Sequence, residues 1–360
     1  PLTDPNLLQA DLRNFHLVFS AAADDPARLC PCAEVRLPDG SVWWMDLARE
    51  DPAVVFKGQQ VYLRDPGGDR LLGEKVAVFD DPEVEGRRRD LALRLQKSLM
   101  VPLLKGQKMD HLIVAPDGWL SHAPLALVGD PPLYRTMSLS YTPSAAVTAL
   151  LRRRGRPPSR LPFFAAGDAI YSGADEGRPD LPFARREVEE ILRLAYKNID
   201  RSHSLLGPAA RRGEFLRLSD SGLLSRYRFL HLALHGSYEP GKAGSSGLVF
   251  SLPGALKKRH PEIVPDAGDR DGILLAGEAR SLNLGSDLTV LAACDTVPGV
   301  DLAGEGLVAL PQSFLLAGSR AVIATLWSLP EEASNDLMRE LYPLLFADVP
   351  PARALRMAQE

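Results

Sequence analysis

From about residue 82 onward, short apolar runs alternate with amphipathic stretches. The runs are His111–Ala115, Leu139–Thr142, Phe163–Gly167, Phe229–Leu234, Leu288–Ala293 and Ala321–Leu326. Two stretches carry the helical period. Gly86 to Leu104 places Leu91, Leu95 and Leu99 at i, i+4, i+8, and Phe183–Lys197 places Val188, Ile191, Leu192 and Ala195 at i, i+3, i+4, i+7. Strands apolar on both faces, alternating with helices, predict a mostly parallel sheet covered on both sides. The expected fold class is α/β.

Residues 1–80 follow a different pattern. Runs at Ala33–Leu37, Ser41–Asp46, Ala53–Phe56 and Gln60–Leu63 are punctuated by Pro38-Asp39-Gly40 and Asp65-Pro66-Gly67-Gly68. Short runs separated by such turn residues predict β-hairpins. A helix is expected over residues 5–20, as the end of a preceding helical region. The expected organisation is thus a small β-rich unit over 1–80, then an α/β domain over 81–360. The Pro-rich, basic segments Arg152–Arg160 and Pro253–Asp271 are read as surface loops. The clusters Arg152-Arg153-Arg154 and Lys257-Lys258-Arg259 within them are read as solvated charge. No internal repeat or low-complexity tract is present.

Composition excludes more than it identifies. The 360 residues carry 42 Lys and Arg against 46 Asp and Glu, a formal net charge of −4. That balance points neither to nucleic-acid binding nor to an acidic tail. With 45% hydrophobic and 24% charged residues, the chain is ordinary globular material. No apolar run approaches the roughly 18 residues of a membrane span. The chain begins at Pro1 without an initiator Met or signal-like stretch, so it is expected to be part of a longer protein. Three cysteines, Cys30, Cys32 and Cys294, make no disulfide framework and favour a reducing, cytoplasmic setting. Cys30 and Cys32 could hold two corners of a zinc site only with distant histidines at no finger-like spacing. They are read as small half-buried side chains in a turn, and no metal is expected.

Two of the apolar runs end in reactive residues. Phe229–Leu234 runs into His235-Gly236, and Leu288–Ala293 runs into Cys294-Asp295-Thr296. Ligands of open parallel sheets bind beyond the carboxyl ends of the strands, so neighbouring strands would bring an imidazole and a thiol to one rim. A free thiol, with a pKa near about 8.5, is mostly protonated at neutral pH, and a nearby imidazole favours the nucleophilic thiolate. Gly236 has no Cβ, so a backbone N–H there can approach a substrate carbonyl and, with the N–H of Cys294, form an oxyanion hole. Histidine precedes cysteine by 59 residues, close to the roughly 50-residue order of caspases. The competing explanation is packing, because a lone His or Cys at the end of a buried strand is commonly structural.

His231, four residues before His235, would lie on the same strand face but about 13 Å away, too far to share a metal. It is read as a satisfied core histidine. His16, His111, His122, His203 and His260 carry no signal. Phosphate-cradle, zincin and Ser-hydrolase motifs are missing from the sequence, and the Gly-rich segment Gly236–Gly247 is expected to be a mobile loop beside the site.

These residues also carry a resemblance. Leu232-Ala233-Leu234-His235-Gly236, Leu291-Ala292-Ala293-Cys294-Asp295-Thr296, Gly304-Glu305-Gly306-Leu307 and Leu315 through Ser328 are similar to the CHAT domain. That family is caspase-like, related to separases and caspases, and often attached to TPR repeats. Val114–Leu125 resembles its strand–turn–strand, and Ala184–Ile191 its Ala-x-x-Glu helix. The resemblance covers about residues 87–346. It implies a cysteine endopeptidase with His235 and Cys294 as the dyad and the backbone of Gly236 and Cys294 as the oxyanion hole. It further implies a dedicated protein substrate, an activating protein or ligand, a bacterial defence or signalling setting, and an accompanying TPR region. No cofactor is implied. The segment after Trp327 resembles the place where separases supply an acidic pocket residue, so Glu331 is implied as a substrate-binding residue that would meet an Arg or Lys; Asp295, beside the cysteine, is a second substrate-binding candidate. Ser328 and Glu331, with Pro330 between them, equally have the spacing of a helix capping box.

Three departures from the family pattern stand out: Val297 in place of a glycine, Pro311 where a helix is expected, and an end at Glu360 before the aromatic-bearing strand that usually closes the domain. Two rivals to the protease share these residues: a CHAT-like scaffold that binds without cutting, and a hydrolase of small esters or amides.

Overall fold

A computed structural model describes residues 32–36, 42–46, 54–57, 60–65, 68–79, 92–104, 109–116, 124–153, 155, 161–173, 178–197, 201–237, 246–292, 309–325 and 331–360. The helix expected over 5–20 lies outside these residues. The chain divides into two compact units, Pro1–Ser140 and Tyr141–Glu360.

In the first unit, β1 (Cys32–Arg36), β2 (Val42–Asp46), β3 (Val54–Lys57), β4 (Gln60–Asp65) and β5 (Gly68–Phe79) form a five-stranded sheet in the order β2-β1-β5-β4-β3. Its ladders are antiparallel, as hairpin turns between short strands require. The β4–β5 ladder runs up to the pair Asp65 and Gly68. The longest strand, β5, is missing from the sequence reading. Its register shifts against both β1 and β4, and such bulges break the period-2 pattern that marks a strand. Further on, a π-helical turn at Gln96–Met100 runs into α1 (Val101–Leu104), within the segment expected to be helical. β6 (His111–Val114) pairs with β7 (Ser138–Tyr141) as a separate two-stranded ladder. These two runs therefore do not join the main sheet.

The second unit is built on β8 (Leu161–Gly167), β9 (Ser204–Leu206), β10 (Tyr227–Ala233), β14 (Leu288–Leu291) and β15 (Val322–Ala324). The sheet order is β15-β14-β10-β8-β9, and every ladder is parallel. Both faces are covered, which is why these strands read as continuous apolar runs. On one face Phe164, Ala166, Leu230, Leu232 and Leu291 pack with Phe215, Ala255, Leu256, Ala276 and Phe314. Those partners come from α4 (Arg212–Asp220), α5 (Pro253–Arg259), α6 (Ala276–Ala279) and α7 (Ala309–Ala317). On the other face Phe163, Ala165, Phe229, Ala233, Leu288 and Val290 pack with Val188, Ile191, Leu192, Met338, Leu341, Tyr342 and Ala354. These belong to α3 (Pro182–Tyr196), α8 (Glu331–Phe346) and α9 (Pro351–Gln359). α2 (Ala145–Arg153) precedes β8.

One sequence expectation is corrected here. The Pro253–Asp271 segment is not all loop, because Pro253 opens α5 and Lys257, Lys258 and Arg259 occupy its last turn. Proline lacks only an N–H that a first helical turn leaves unpaired anyway, and cations suit a helix C-terminus. Of the Gly236–Gly247 segment expected to be a loop, residues 238–245 lie outside the described residues, and both ends are paired. β11 (His235–Ser237), β12 (Gly247–Val249) and β13 (Ile273–Leu275) form a small antiparallel sheet, with His235 opposite Val249 and Ser237 opposite Gly247.

One resemblance motif has a packing explanation. Gly318 sits at φ 125°, and a Cβ there would lie 2.0 Å from the carbonyl oxygen of Leu284. Only glycine fits. Pro311 falls in the first turn of α7, where a proline is tolerated.

Candidate functional site

Strand order selects the location. From β8 the chain goes outward to β9, then returns to β10 on the other side of β8 and continues to β14 and β15. The helix after β8 covers one face, and the helix between β9 and β10 covers the other. The carboxyl ends of β8 and β10 therefore flank a topological switch point, where open α/β sheets bind ligands. Gly167 and Ala233 pair there, and His235 follows Ala233 by two residues. β14 lies parallel on the other side of β10, with Leu232 opposite Leu291, and Cys294 follows Leu291 by three residues. Cys294 and Asp295 themselves lie outside the described residues.

β10 ends at Ala233, and His235 starts β11 in a different sheet. The two histidines thus do not share one strand face, as the spacing alone suggested. His231 is fully buried, with Nε2 2.7 Å from Glu187 Oε1 and Nδ1 2.9 Å from the Tyr342 hydroxyl. Both ring nitrogens are satisfied inside the core, as a structural histidine requires. Glu187 is the acid of the Ala184-x-x-Glu187 helix, so that motif serves the core.

His235 is held differently. Its Nε2 lies 2.8 Å from the carbonyl oxygen of Pro179. A carbonyl only accepts, so the neutral ring carries its proton on Nε2 and its lone pair on Nδ1. The imidazole meets the Tyr171 ring edge-on, at 4.6 Å between centroids. The backbone N–H of His235 donates to the Tyr171 hydroxyl oxygen at 3.2 Å, and that hydroxyl donates to the Val249 carbonyl at 2.7 Å. Burial pushes the Tyr171 phenol well above its ordinary value, so it stays a neutral donor. Arg178 Nη1 donates to the carbonyl of Gly236 at 3.2 Å.

Asp180, next in the chain, accepts from the N–H groups of Tyr171 and Ser172, each at 3.0 Å. It also accepts from the Ser172 hydroxyl at 2.6 Å and from Arg259 Nη1 at 2.6 Å. Burial by itself would raise this carboxyl. The hydrogen bonds from Ser172, Tyr171 and Arg259 outweigh it and hold the group well below the usual carboxylate range. Sequence reading missed Tyr171, Arg178, Pro179, Asp180 and Arg259. The available signal was that residues 168–180 follow a buried strand.

Glu331 opens α8, and its Oε2 accepts the N–H of Phe183 at 3.0 Å. Phe183 is in the first turn of α3, whose own N-cap residue, Leu181, makes no side-chain cap. Glu331 therefore caps another helix through space. Burial raises its carboxyl, the Phe183 N–H works against that, and nearby Glu187 adds to the rise.

A cavity of about 440 Å³ lies away from His235, between α4, the 267–270 turn and α6. Among the described residues no group of three His, Cys, Asp or Glu is placed to hold a metal ion, and no helix is long and apolar enough to cross a membrane.

Comparison with known proteins agrees with this architecture. The CHAT domain family matches residues 89–360. Mouse tetratricopeptide repeat protein 28 is 28% identical over 130 residues, a stretch that is 33% of this chain and 5% of that protein. With a caspase-like parallel sheet and a family match over most of its length, the chain belongs to the CHAT domain family, a caspase-like protease family.

Proposed function

We propose that this CHAT domain is a cysteine endopeptidase in which Cys294 is the nucleophile and His235 its general base. The observation that carries the proposal is the Pro179–His235 contact at the carboxyl end of β10, on the strand adjacent to β14. With the ring proton held on Nε2, Nδ1 is the nitrogen that takes the thiol proton. The thiolate then attacks the scissile carbonyl, and the N–H groups of Gly236 and Cys294 receive the oxyanion. The imidazolium returns its proton to the leaving amine as the C–N bond breaks. Water then hydrolyses the thioester by the same route in reverse. In the imidazolium stage the Pro179 carbonyl accepts a hydrogen bond from a charged donor, which is stronger than one from a neutral donor.

The substrate on this reading is a dedicated protein partner, with an activating protein or ligand in a defence or signalling system in the cytoplasm. Asp295 is the acidic neighbour we place toward the substrate. Glu331 belongs to the same substrate reading, although its carboxylate already holds the Phe183 N–H. The mouse relative's name supports TPR repeats as a companion to such domains. We divide the chain functionally into the β-rich unit over 1–80 and the protease over 81–360.

The test is cleavage of the native partner by the full-length protein. Cys294→Ala and His235→Ala should each abolish cleavage, and the double variant should be no worse, because the two residues act as a unit. Undiminished cleavage with Cys294→Ala would reject the dyad and leave the scaffold reading.

A further inference from the structure

We propose that Asp180 and Arg259 are positioning residues for His235, forming a bracket that holds the Pro179 carbonyl against the imidazole. Three consecutive residues make the bracket. Arg178 holds the Gly236 carbonyl, Pro179 accepts from His235 Nε2, and Asp180 anchors the segment. Pro179 has no N–H with which to fix its own position. The anchoring therefore falls to its neighbours, and Asp180 contributes most of it, with four hydrogen bonds. Two come from the backbone of Tyr171 and Ser172, one from the Ser172 hydroxyl and one from Arg259. Tyr171 is also the residue whose ring and hydroxyl contact His235. Asp180 thus ties both supports of the imidazole, Pro179 and Tyr171, into one unit.

Arg259 extends the bracket to a separate helix. From the last turn of α5 it donates to Asp180 at 2.6 Å and to the Ser172 hydroxyl at 2.7 Å. The Arg259 side chain is 42% exposed and that of Asp180 37%. Ion pairs this exposed contribute little to global stability. Their geometric role is a different matter, since a carbonyl displaced by about 1 Å from a catalytic ring can cost on the order of 100-fold in rate. Asp180 remains ionised throughout the neutral range, so the bracket is a fixed support and not a pH switch.

The activity arm of the test rests on the protease reading, and the spectroscopic arm does not. In the full-length protein, nitrogen-15 spectra of the imidazoles report the tautomer of His235, assigned by comparison with His235→Ala. The wild type should show the Nε2–H form. Asp180→Ala and Arg259→Ala should each give a mixture of tautomers, Arg259→Ala with thermal unfolding nearly unchanged and Asp180→Ala less stable but still folded at neutral pH, and Asp180→Asn, which keeps one acceptor, should fall between. Where partner cleavage is measurable, both alanine variants should lower kcat about 10- to 100-fold with little change in KM. The double variant should be no worse than Asp180→Ala, because both act through one carbonyl. An unchanged His235 tautomer in Asp180→Ala and Arg259→Ala overturns the proposal, whatever the fate of the protease reading. Should Asp180→Ala fail to fold, Arg259→Ala and Asp180→Asn decide by the same spectrum.

Discussion

The sharpest stability prediction concerns Glu187, the acid packed against β10. Its side chain is 6% exposed, and that of His231 is wholly enclosed. Phe163 packs at 5.4 Å against Tyr342, which closes the other side of the imidazole. Glu187→Ala removes the acceptor at 2.7 Å from His231 Nε2. An unsatisfied buried polar group costs about 1–3 kcal/mol, and the void left by truncating a buried side chain adds on the order of 1–2 kcal/mol. The expected loss is therefore about 2–5 kcal/mol, a large share of the roughly 5–15 kcal/mol that holds a domain together. Glu187→Gln keeps an acceptor in the same place and should cost less. Urea denaturation followed by circular dichroism measures both, and a cycle with His231→Ala isolates the pair. A Glu187→Ala midpoint that shifts by less than about 0.5 kcal/mol equivalent would refute the claim that this contact supports β10.

His235→Ala should leave unfolding almost untouched while abolishing cleavage, and His231→Ala should do the reverse through its fold; unfolding curves beside the cleavage assay separate the two. Gly318→Ala should destabilise by about 3 kcal/mol or more, since positive φ costs on the order of 1–3 kcal/mol before the collision with the Leu284 carbonyl is counted; near-wild-type stability in urea would show that the turn relaxes freely. Glu331→Ala should lose about 1 kcal/mol through the missing cap on α3, and a change confined to KM for basic substrates would instead point to substrate contact. Asp180, whose carboxyl is held below its ordinary value, contributes stability that is complete above about pH 4 and is lost as pH falls through the lowered value. The stability difference between wild type and Asp180→Asn should accordingly shrink below about pH 4, which acid unfolding titrations would measure.

Much of the fold was legible along the chain because it depends on local pattern. β8, β10 and β14 stand out because most of their residues are buried, on both faces of the sheet, and therefore apolar. α3 declares itself because one stripe at helical spacing meets the sheet. β9, β12 and β13 went unread because three residues carry too little period. α5 went unread because an opening proline looks like a loop until its partners are known. His235 stood out in the sequence as a candidate, since an imidazole followed by glycine at a strand end is a recognisable arrangement.

What distinguishes His235 from His231 was decided in three dimensions. The strand breaks at Leu234, and one ring turns to Pro179 and Tyr171 while the other meets Glu187 and Tyr342. The bracket likewise joins Asp180 to Arg259 across 79 residues. Contacts of that length leave no periodic trace in the sequence, because they arise only after the sheet has set the strand order. Local propensity and burial pattern determine which segments become strands and helices, whereas long-range packing determines which carbonyl faces which imidazole.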